Sequence, residues 1–180
     1  LSGPSLQRVL GLVVDMQIDL YEGAGRRALE RLRAGRASVR RGLFVLVEYA
    51  RVRLLFVEAC AHLACAVEDP SSAQRHVRAA RRTARWLRLN RRPYTDALAL
   101  LVEGCALAGD FGGARQLFGW AEATFRGLGM ALYAEVARLR RGQMLQGDEA
   151  RAVQAQARAA LRASGVRDPD ALARTFAPVG

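Results

Sequence analysis

Apolar residues recur at intervals of three and four along the whole chain, and no segment alternates apolar and polar residues with a period of two. This pattern predicts helices throughout. The first helix is predicted over 5–21, before the glycine-rich turn at 23–25, and the second ends near Arg33, where the sequence AGRAS loosens the chain. A long apolar helix is predicted over 42–67.

Turn and capping residues divide the rest of the chain into five more helices and a short last one. EDPSS, at 68–72, ends the long helix, and Ser71 or Ser72 is predicted as the N-cap of a helix over 73–89. Thr95 or Asp96 is predicted to cap the next helix. Asp168, followed by proline, is predicted to begin the last helix. The predicted ranges are 95–108, 112–127, 130–146, 149–163 and 168–176.

A spaced pattern of residues recurs after three of the glycine turns: Gly, then Ala five positions on, a large residue nine on and a small residue twelve on. The small residues would let two helices lie close together, and the large one would fill the space between pairs. The instances are Gly23/Ala28/Leu32/Gly35, Gly109/Ala114/Phe118/Ala121 and Gly147/Ala152/Gln156/Ala159.

This pattern resembles the tetratricopeptide repeat, best over 95–128, in a degenerate form with Cys105 where tyrosine is usual. The resemblance implies an all-α fold, an α-solenoid of antiparallel helix pairs forming a single domain over 1–180. The further pairs would cover 5–35, 42–90 and 130–163, with a C-terminal capping helix at 168–176.

Composition favours close helix packing, because apolar residues make up 51% of the chain and aromatic residues only 7%. The 28 basic residues are all arginine and the formal net charge is +11. Replacement of Lys by Arg is typical of a GC-rich genome, so the charge by itself does not identify a nucleic-acid partner.

Two catalytic motifs occur in fragments. Asp110-Phe111-Gly112 matches the magnesium-binding triplet of protein kinases, but the chain has no Lys for the ATP phosphates and no H-R-D loop. Asp110 is therefore predicted to cap a helix at a repeat turn. Gly23 to Ala28 matches a G-x-G-x-x-A dinucleotide motif, yet apolar residues at helical spacing precede it, so a turn between two helices is predicted. We expect no catalytic residue and no cofactor.

The cysteines and histidines have the wrong spacing for a metal site. Cys60, His62 and Cys65 lie on one predicted helix without the i, i+4 spacing that shares a face, which predicts buried structural cysteines and no metal ion. An odd number of cysteines favours a reduced, cytoplasmic protein. Asp15 and Asp19 interrupt the most apolar N-terminal run, so no membrane span is predicted.

The strongest charged feature is an arginine-rich helix over 75–92. A stripe at helical spacing is formed by Arg75, Arg78, Arg82 and Arg85, with Trp86 beside it. Three interpretations stay open: a solvated helix face, a surface for an acidic protein partner, or a phosphate-binding stripe for nucleic acid with Trp86 stacking on bases.

A second resemblance covers nearly all of the chain. QIDLYEGAGRRALERL, the segment from YTDALALLVEGCALAGDFGGARQLF to QGDEARA, and the closing GVRDPDALARTFAPVG are similar to the C-terminal helical region of bacterial eukaryotic-type serine/threonine protein kinases. Similar regions end some ATPase-containing transcriptional regulators. The resemblance implies a non-catalytic scaffold at the end of a longer signalling protein that binds a protein or peptide. On the faces of the first helices of each pair, the expected binding residues are Glu48, Arg51, Glu103 and Glu135.

Overall fold

The computed structural model describes residues 6–40, 48–107 and 109–180, and these ranges form nine helices and no strand. The all-α prediction is confirmed. The helices are α1 (Leu6–Tyr21), α2 (Gly25–Arg40), α3 (Glu48–Glu68), α4 (Ala73–Arg88), α5 (Pro93–Ala106), α6 (Phe111–Gly127), α7 (Ala131–Gln143), α8 (Gly147–Ala163) and α9 (Pro169–Phe176). The predicted helix start at 42–47 lies outside the described residues.

Helix α2 is longer than predicted. It continues through the AGRAS segment to Arg40, so the predicted end near Arg33 is wrong. A single glycine inside a helix costs only about 1 kcal/mol relative to alanine, which flanking helix-forming residues offset. Gly35 also serves packing, because a Cβ atom there would lie 2.9 Å from Leu12 on α1.

The caps follow the prediction at α6 and α9 but not at α5. Asp110 Oδ1 accepts a hydrogen bond from the Gly113 amide at 3.2 Å, and Asp168 Oδ1 accepts one from Ala171 at 2.9 Å. Helix α5 instead begins at Pro93 with Arg92 as N-cap, so neither Thr95 nor Asp96 is the N-cap residue. Thr95 Oγ1 nevertheless accepts a hydrogen bond from the Arg92 amide at 3.4 Å. Proline is favoured in the first turn, where its missing N–H has no helical partner.

At α4 the predicted N-cap position is correct but the capping interaction differs. Ser72 is the N-cap residue, yet its side chain makes no capping hydrogen bond. Its hydroxyl donates to Asp69 Oδ2 at 2.8 Å, and Asp69 also accepts from the Ser71 amide at 3.0 Å. The carboxylate of Asp69 therefore organises this turn.

Each helix from α1 to α8 packs against the next in sequence, and α1 and α5 also contact α3. The even-numbered helices α2, α4, α6 and α8 share a pattern when residues are counted from the first residue of each helix. The residues at positions four, eight and eleven are buried or half-buried in all four. These residues are Ala28/Leu32/Gly35, His76/Ala80/Thr83, Ala114/Phe118/Ala121 and Ala150/Gln154/Ala157.

The predicted third instance of the repeat has the wrong register. Ala152, Gln156 and Ala159 are exposed, and the buried residues of α8 are Ala150, Ala157 and Leu161. The reason is that α8 begins at the turn glycine, Gly147, with φ of 68°. Helix α6, by contrast, begins two residues after its turn glycine, Gly109. A pattern counted from the glycine therefore places the buried residues of α8 two positions too late.

The last helix, α9, is more than the predicted terminal cap. It contacts α1, α3, α7 and α8, and so joins the beginning of the described chain to its end. Its Phe176 lies over an aromatic cluster, with ring centroids 4.9 Å from Tyr133 and 6.3 Å from Phe56. Cys60 Sγ donates to the Phe176 carbonyl at 3.4 Å.

Candidate interaction surfaces

The arginines of α4 fall into two groups. Arg81 and Arg88 hold α4 against α5. Arg81 Nη2 donates to the Ala106 carbonyl at 3.1 Å, and Arg88 donates to both carboxylate oxygens of Glu103, at 3.0 and 2.5 Å. The hydrogen bonds that Arg88 donates to Glu103 raise the pKa of its guanidinium. These two side chains are therefore structural.

The second group consists of Arg75, Arg78, Arg82 and Arg85, which we call the α4 arginine face. All four are exposed, and within the part of the chain that the structure describes none of them has an ion-pair partner. They project from α4 opposite its buried residues, which include Ala80, Ala84 and Leu87. Arg75, Arg78 and Arg82 line a shallow depression of about 440 Å³ together with Ser71, Ser72 and Gln74.

An exposed apolar patch lies at the C-terminal end of the same helix. Trp86 is 58% exposed and Leu89 is 66% exposed. Both line a second depression of about 440 Å³, with Leu55, Arg51 and Asn90. Since Trp86 follows Arg82 by four residues, the aromatic ring and the arginine face lie on the same side of α4.

The four other predicted binding residues already have partners within the chain. Glu48 pairs with Arg92 at 3.7 Å, and Arg51 Nη2 donates to Asn90 at 2.7 Å. Glu103 pairs with Arg88 and lies at the α4–α5 contact. Glu135 lies 3.6 Å from both Arg126 and Arg138. Their role toward a partner stays a prediction, and a partner would compete with these contacts.

The cysteines are buried and free, as the sequence predicted. Burial raises the pKa of Cys65 to about 11 and that of Cys105 to about 12, so these thiols are protonated and unreactive at neutral pH. Burial likewise raises the pKa of Cys60 well above its usual range. Within residues 6–40, 48–107 and 109–180, no group of three or more metal-ligating side chains occurs.

The two histidines form a pair that sequence reasoning missed. The Nδ1 atoms of His62 on α3 and His76 on α4 are 2.9 Å apart, so one ring donates and the other accepts. The sequence indicates the burial of His76, because it occupies the fourth position of α4, and the fourth residue is also buried in α2, α6 and α8.

The two motif fragments have structural roles. Asp110 caps α6, as predicted. The glycine-rich segment at 23–25 joins α1 to α2, which confirms the predicted turn between helices. At the N-terminus of α2 the Gly25 amide donates to Glu68, and the Arg26 amide donates to Glu68 Oε2 at 3.3 Å. The amides that would bind a phosphate are thus bonded to a carboxylate of the chain itself.

A further arginine stands apart because it is buried. Arg140 on α7 is 4% exposed, and its Nη1 donates to Gln143 Oε1 at 2.7 Å. Its Nε and Nη2 atoms have no hydrogen-bond partner within residues 6–40, 48–107 and 109–180. Burial lowers the pKa of its guanidinium to about 10. Its position in the sequence indicates this burial, because it lies three residues after Ala137 and four after Val136, and both of these are buried on the same helix. The adjacent Arg141, by contrast, donates to Glu122 at 2.8 Å.

Comparison with other proteins identifies no relative: no protein-family model, curated protein or solved structure matches the sequence. Among the described helices, none has the length and apolar character needed to cross a membrane.

Proposed function

We propose that the chain is a non-catalytic protein-interaction module, built as a tetratricopeptide-like array of the pairs α1–α2, α3–α4, α5–α6 and α7–α8. Support comes from the recurrence of the same three buried or half-buried positions in all four even-numbered helices. In such arrays each pair buries its apolar face mainly against its neighbours, and the remaining surfaces are free to bind partners.

The observation that carries this proposal is the α4 arginine face next to an exposed tryptophan. The four guanidinium groups of this face have no ion-pair partner among the described residues, and they lie on the same side of α4 as the exposed Trp86 and Leu89. Arginine binds carboxylates through paired hydrogen bonds, and Trp and Arg are the residues most enriched at binding hot spots. The proposed partner segment is acidic and carries an apolar side chain that enters the depression between Trp86 and Leu55.

A nucleic-acid partner is the alternative, since the same arginines could bind phosphates and Trp86 could stack on a base. The residues that line the depression around Trp86 favour a protein partner over a nucleic acid. Leu55 and Leu89 line it with Trp86, and aliphatic side chains provide an apolar pocket rather than a stacking platform.

Fluorescence anisotropy with two labelled probes tests the proposal on the full chain. The first probe is a Glu-rich peptide with one central Leu, matched to a peptide with Ser at that position. The second is an oligothymidylate of similar length. We expect the Leu peptide to bind about tenfold more tightly than the Ser peptide at about 0.15 M salt. Equal binding of the two peptides, or preferential binding of the oligonucleotide, would contradict the proposal.

We also propose that this module belongs to the C-terminal region of a cytoplasmic bacterial serine/threonine kinase. The similarity of QIDLYEGAGRRALERL, YTDALALLVEGCALAGDFGGARQLF and GVRDPDALARTFAPVG to such regions supports this assignment. The reading frame upstream of Leu1 tests it. A kinase domain encoded there is the expected result, and a stop codon directly upstream would contradict it.

A further inference from the structure

The guanidinium group of Arg140 is buried, and no carboxylate in the described part of the chain forms an ion pair with it. Charged groups inside proteins are normally paired and hydrogen-bonded, because removing an ion from water is costly. Arg140 donates to one acceptor, Gln143, and two of its nitrogen atoms have no hydrogen-bond partner among the described residues. An anionic group placed against Arg140 would pair with its charge and accept hydrogen bonds from these two nitrogen atoms.

The helix that brings charged groups to Arg140 is α9. Asp170 and Arg174 on this helix both act electrostatically on Arg140, as does Arg158 on α8. The Asp170 carboxylate is already bonded to Arg158, with Nη2 to Oδ1 at 2.9 Å and Nε to Oδ2 at 3.0 Å. Arg174 adds a charge of the same sign as Arg140. Helix α9 thus covers Arg140 without pairing its charge, because its carboxylate is bonded to Arg158 and its arginine repels Arg140.

Small residues make up most of the buried residues of α9. Pro169, Ala171, Ala173 and Thr175 are buried, as are Ala177 and Pro178 just after the helix. The larger Leu172 and Phe176 are only partly buried against the core. Because burial energy scales with the apolar area removed from water, alanines anchor a helix much less than leucines would. The surface beneath α9 presents larger side chains, since Phe176 contacts the rings of Phe56 and Tyr133 and its carbonyl accepts from Cys60.

We propose that α9 is an exchangeable occupant of the face formed by α1, α3, α7 and α8, and that a short acidic helix of a partner protein replaces it. The partner helix places a carboxylate against Arg140, small residues where α9 has alanines, and an aromatic ring on Tyr133. This inference goes beyond the proposed function, because its residues differ from those of the α4 arginine face and either surface can bind without the other.

The test uses labelled peptides of residues 165–180 in which Arg174 is replaced by Glu or, as a neutral control of the same shape, by Gln. They are titrated with the unmodified full chain and with the full chain carrying Phe176→Ala, which weakens the internal occupant. We expect Phe176→Ala to bind the Glu peptide about tenfold more tightly than the unmodified chain does. We also expect the Glu peptide to bind about tenfold more tightly than the Gln peptide.

Replacement of Arg140 in the same background assigns the effect. With Phe176→Ala/Arg140→Gln we expect the two peptides to bind equally, since the group that distinguishes them is gone. Equal binding of the Glu and Gln peptides to Phe176→Ala itself would overturn the proposal. Dimers of the unmodified chain that Phe176→Ala dissociates would also overturn it, because the occupant would then be a second copy.

Hydrogen exchange on the unmodified chain decides the matter even if Phe176→Ala does not fold. An exchangeable α9 opens without the helices beneath it, so the amides of Ala173 to Ala177 should exchange at least about tenfold faster than the protected amides of α3 and α7. Equal protection would show that α9 opens only on global unfolding, and would overturn the proposal.

Discussion

Tyr133 on α7 and Phe176 on α9 stack with ring centroids 4.9 Å apart and ring planes inclined by 24°. The Tyr133 ring also lies 5.2 Å from Phe125 and 6.0 Å from Phe56, and its hydroxyl accepts a hydrogen bond from Arg53. A single tyrosine therefore connects α3, α6, α7 and α9. The position of the last helix depends on this aromatic cluster.

Phe176→Ala should lower the free energy of unfolding by about 2 kcal/mol, because it removes a partly buried ring and its stacking contact. Chemical denaturation measures the change. Phe111→Ala is the matched control: Phe111 is 61% exposed at the start of α6, and its replacement should change stability by less than about 0.5 kcal/mol. Equal effects of the two substitutions would contradict the described packing of α9.

Gly104 on α5 should not tolerate alanine. A Cβ atom there would lie 2.7 Å from Cε1 of Phe118, a ring that is fully buried between helices. Overpacking of this kind costs about 1–3 kcal/mol, more than the gain of about 1 kcal/mol from helix propensity. Thermal unfolding should show a lower midpoint for Gly104→Ala.

Gly119→Ala on α6 is the control for that substitution. A Cβ atom at Gly119 would meet only the flexible Arg141 side chain, at 3.6 Å. This variant should be as stable as the unmodified chain or more stable. If Gly104→Ala were also neutral, the close approach of α5 and α6 would be refuted.

The His62–His76 pair should make the chain less stable in mild acid. Burial, together with the positive charge of Arg75 and then Arg33, lowers the pKa of His76, against the opposing charges of Asp69 and Glu68. The unfolded chain therefore binds more protons than the folded chain below about pH 6.5. Stability is full above that pH and falls as the pH drops toward the lowered pKa of His76.

Urea denaturation at pH 7.5 and at pH 5 measures this loss. His76→Asn keeps an amide near the position of Nδ1 but does not titrate, so its stability should change less between the two pH values. An unchanged pH dependence in His76→Asn would show that other groups cause the loss.

Asp110→Ala should cost only a helix cap, about 1 kcal/mol. The carboxylate accepts one hydrogen bond, from Gly113, and helix α6 otherwise keeps its contacts. Incubation of the chain with ATP, magnesium and a protein substrate should transfer no phosphate. Phosphoryl transfer that Asp110→Ala abolishes would contradict the structural role of this residue.

The helical pattern could be predicted from the sequence where glycine, proline and capping residues agree with the apolar periodicity. Asp110 and Asp168 are examples, because each precedes a helix with its acceptor in place. The errors have local causes. The AGRAS segment predicts a loosened chain after Arg33, whereas α2 continues through it, and a Cβ atom at Gly35 would lie 2.9 Å from Leu12 on α1.

The candidate surfaces were only partly predictable. The spacing of Arg75, Arg78, Arg82 and Arg85 predicted their common face, but only the structure shows that Arg81 and Arg88 are bonded to α5 while these four have no ion-pair partner among the described residues. The environment of Arg140 depends on α9, which is 30 residues away along the chain. No pattern within α7 indicates which helix covers it.

The most direct test of the central claim is charge reversal on the α4 arginine face. The variant Arg78→Glu/Arg82→Glu/Arg85→Glu is compared with Arg8→Glu/Arg162→Glu/Arg167→Glu, which changes the net charge equally at exposed positions on α1, α8 and the segment after α8. Binding of the Glu-rich Leu peptide is measured by anisotropy at about 0.15 M salt. We predict that the first variant loses at least about tenfold in affinity while the second loses less than about threefold. Equal losses would mean that net charge alone attracts the peptide, and would contradict a binding surface on α4.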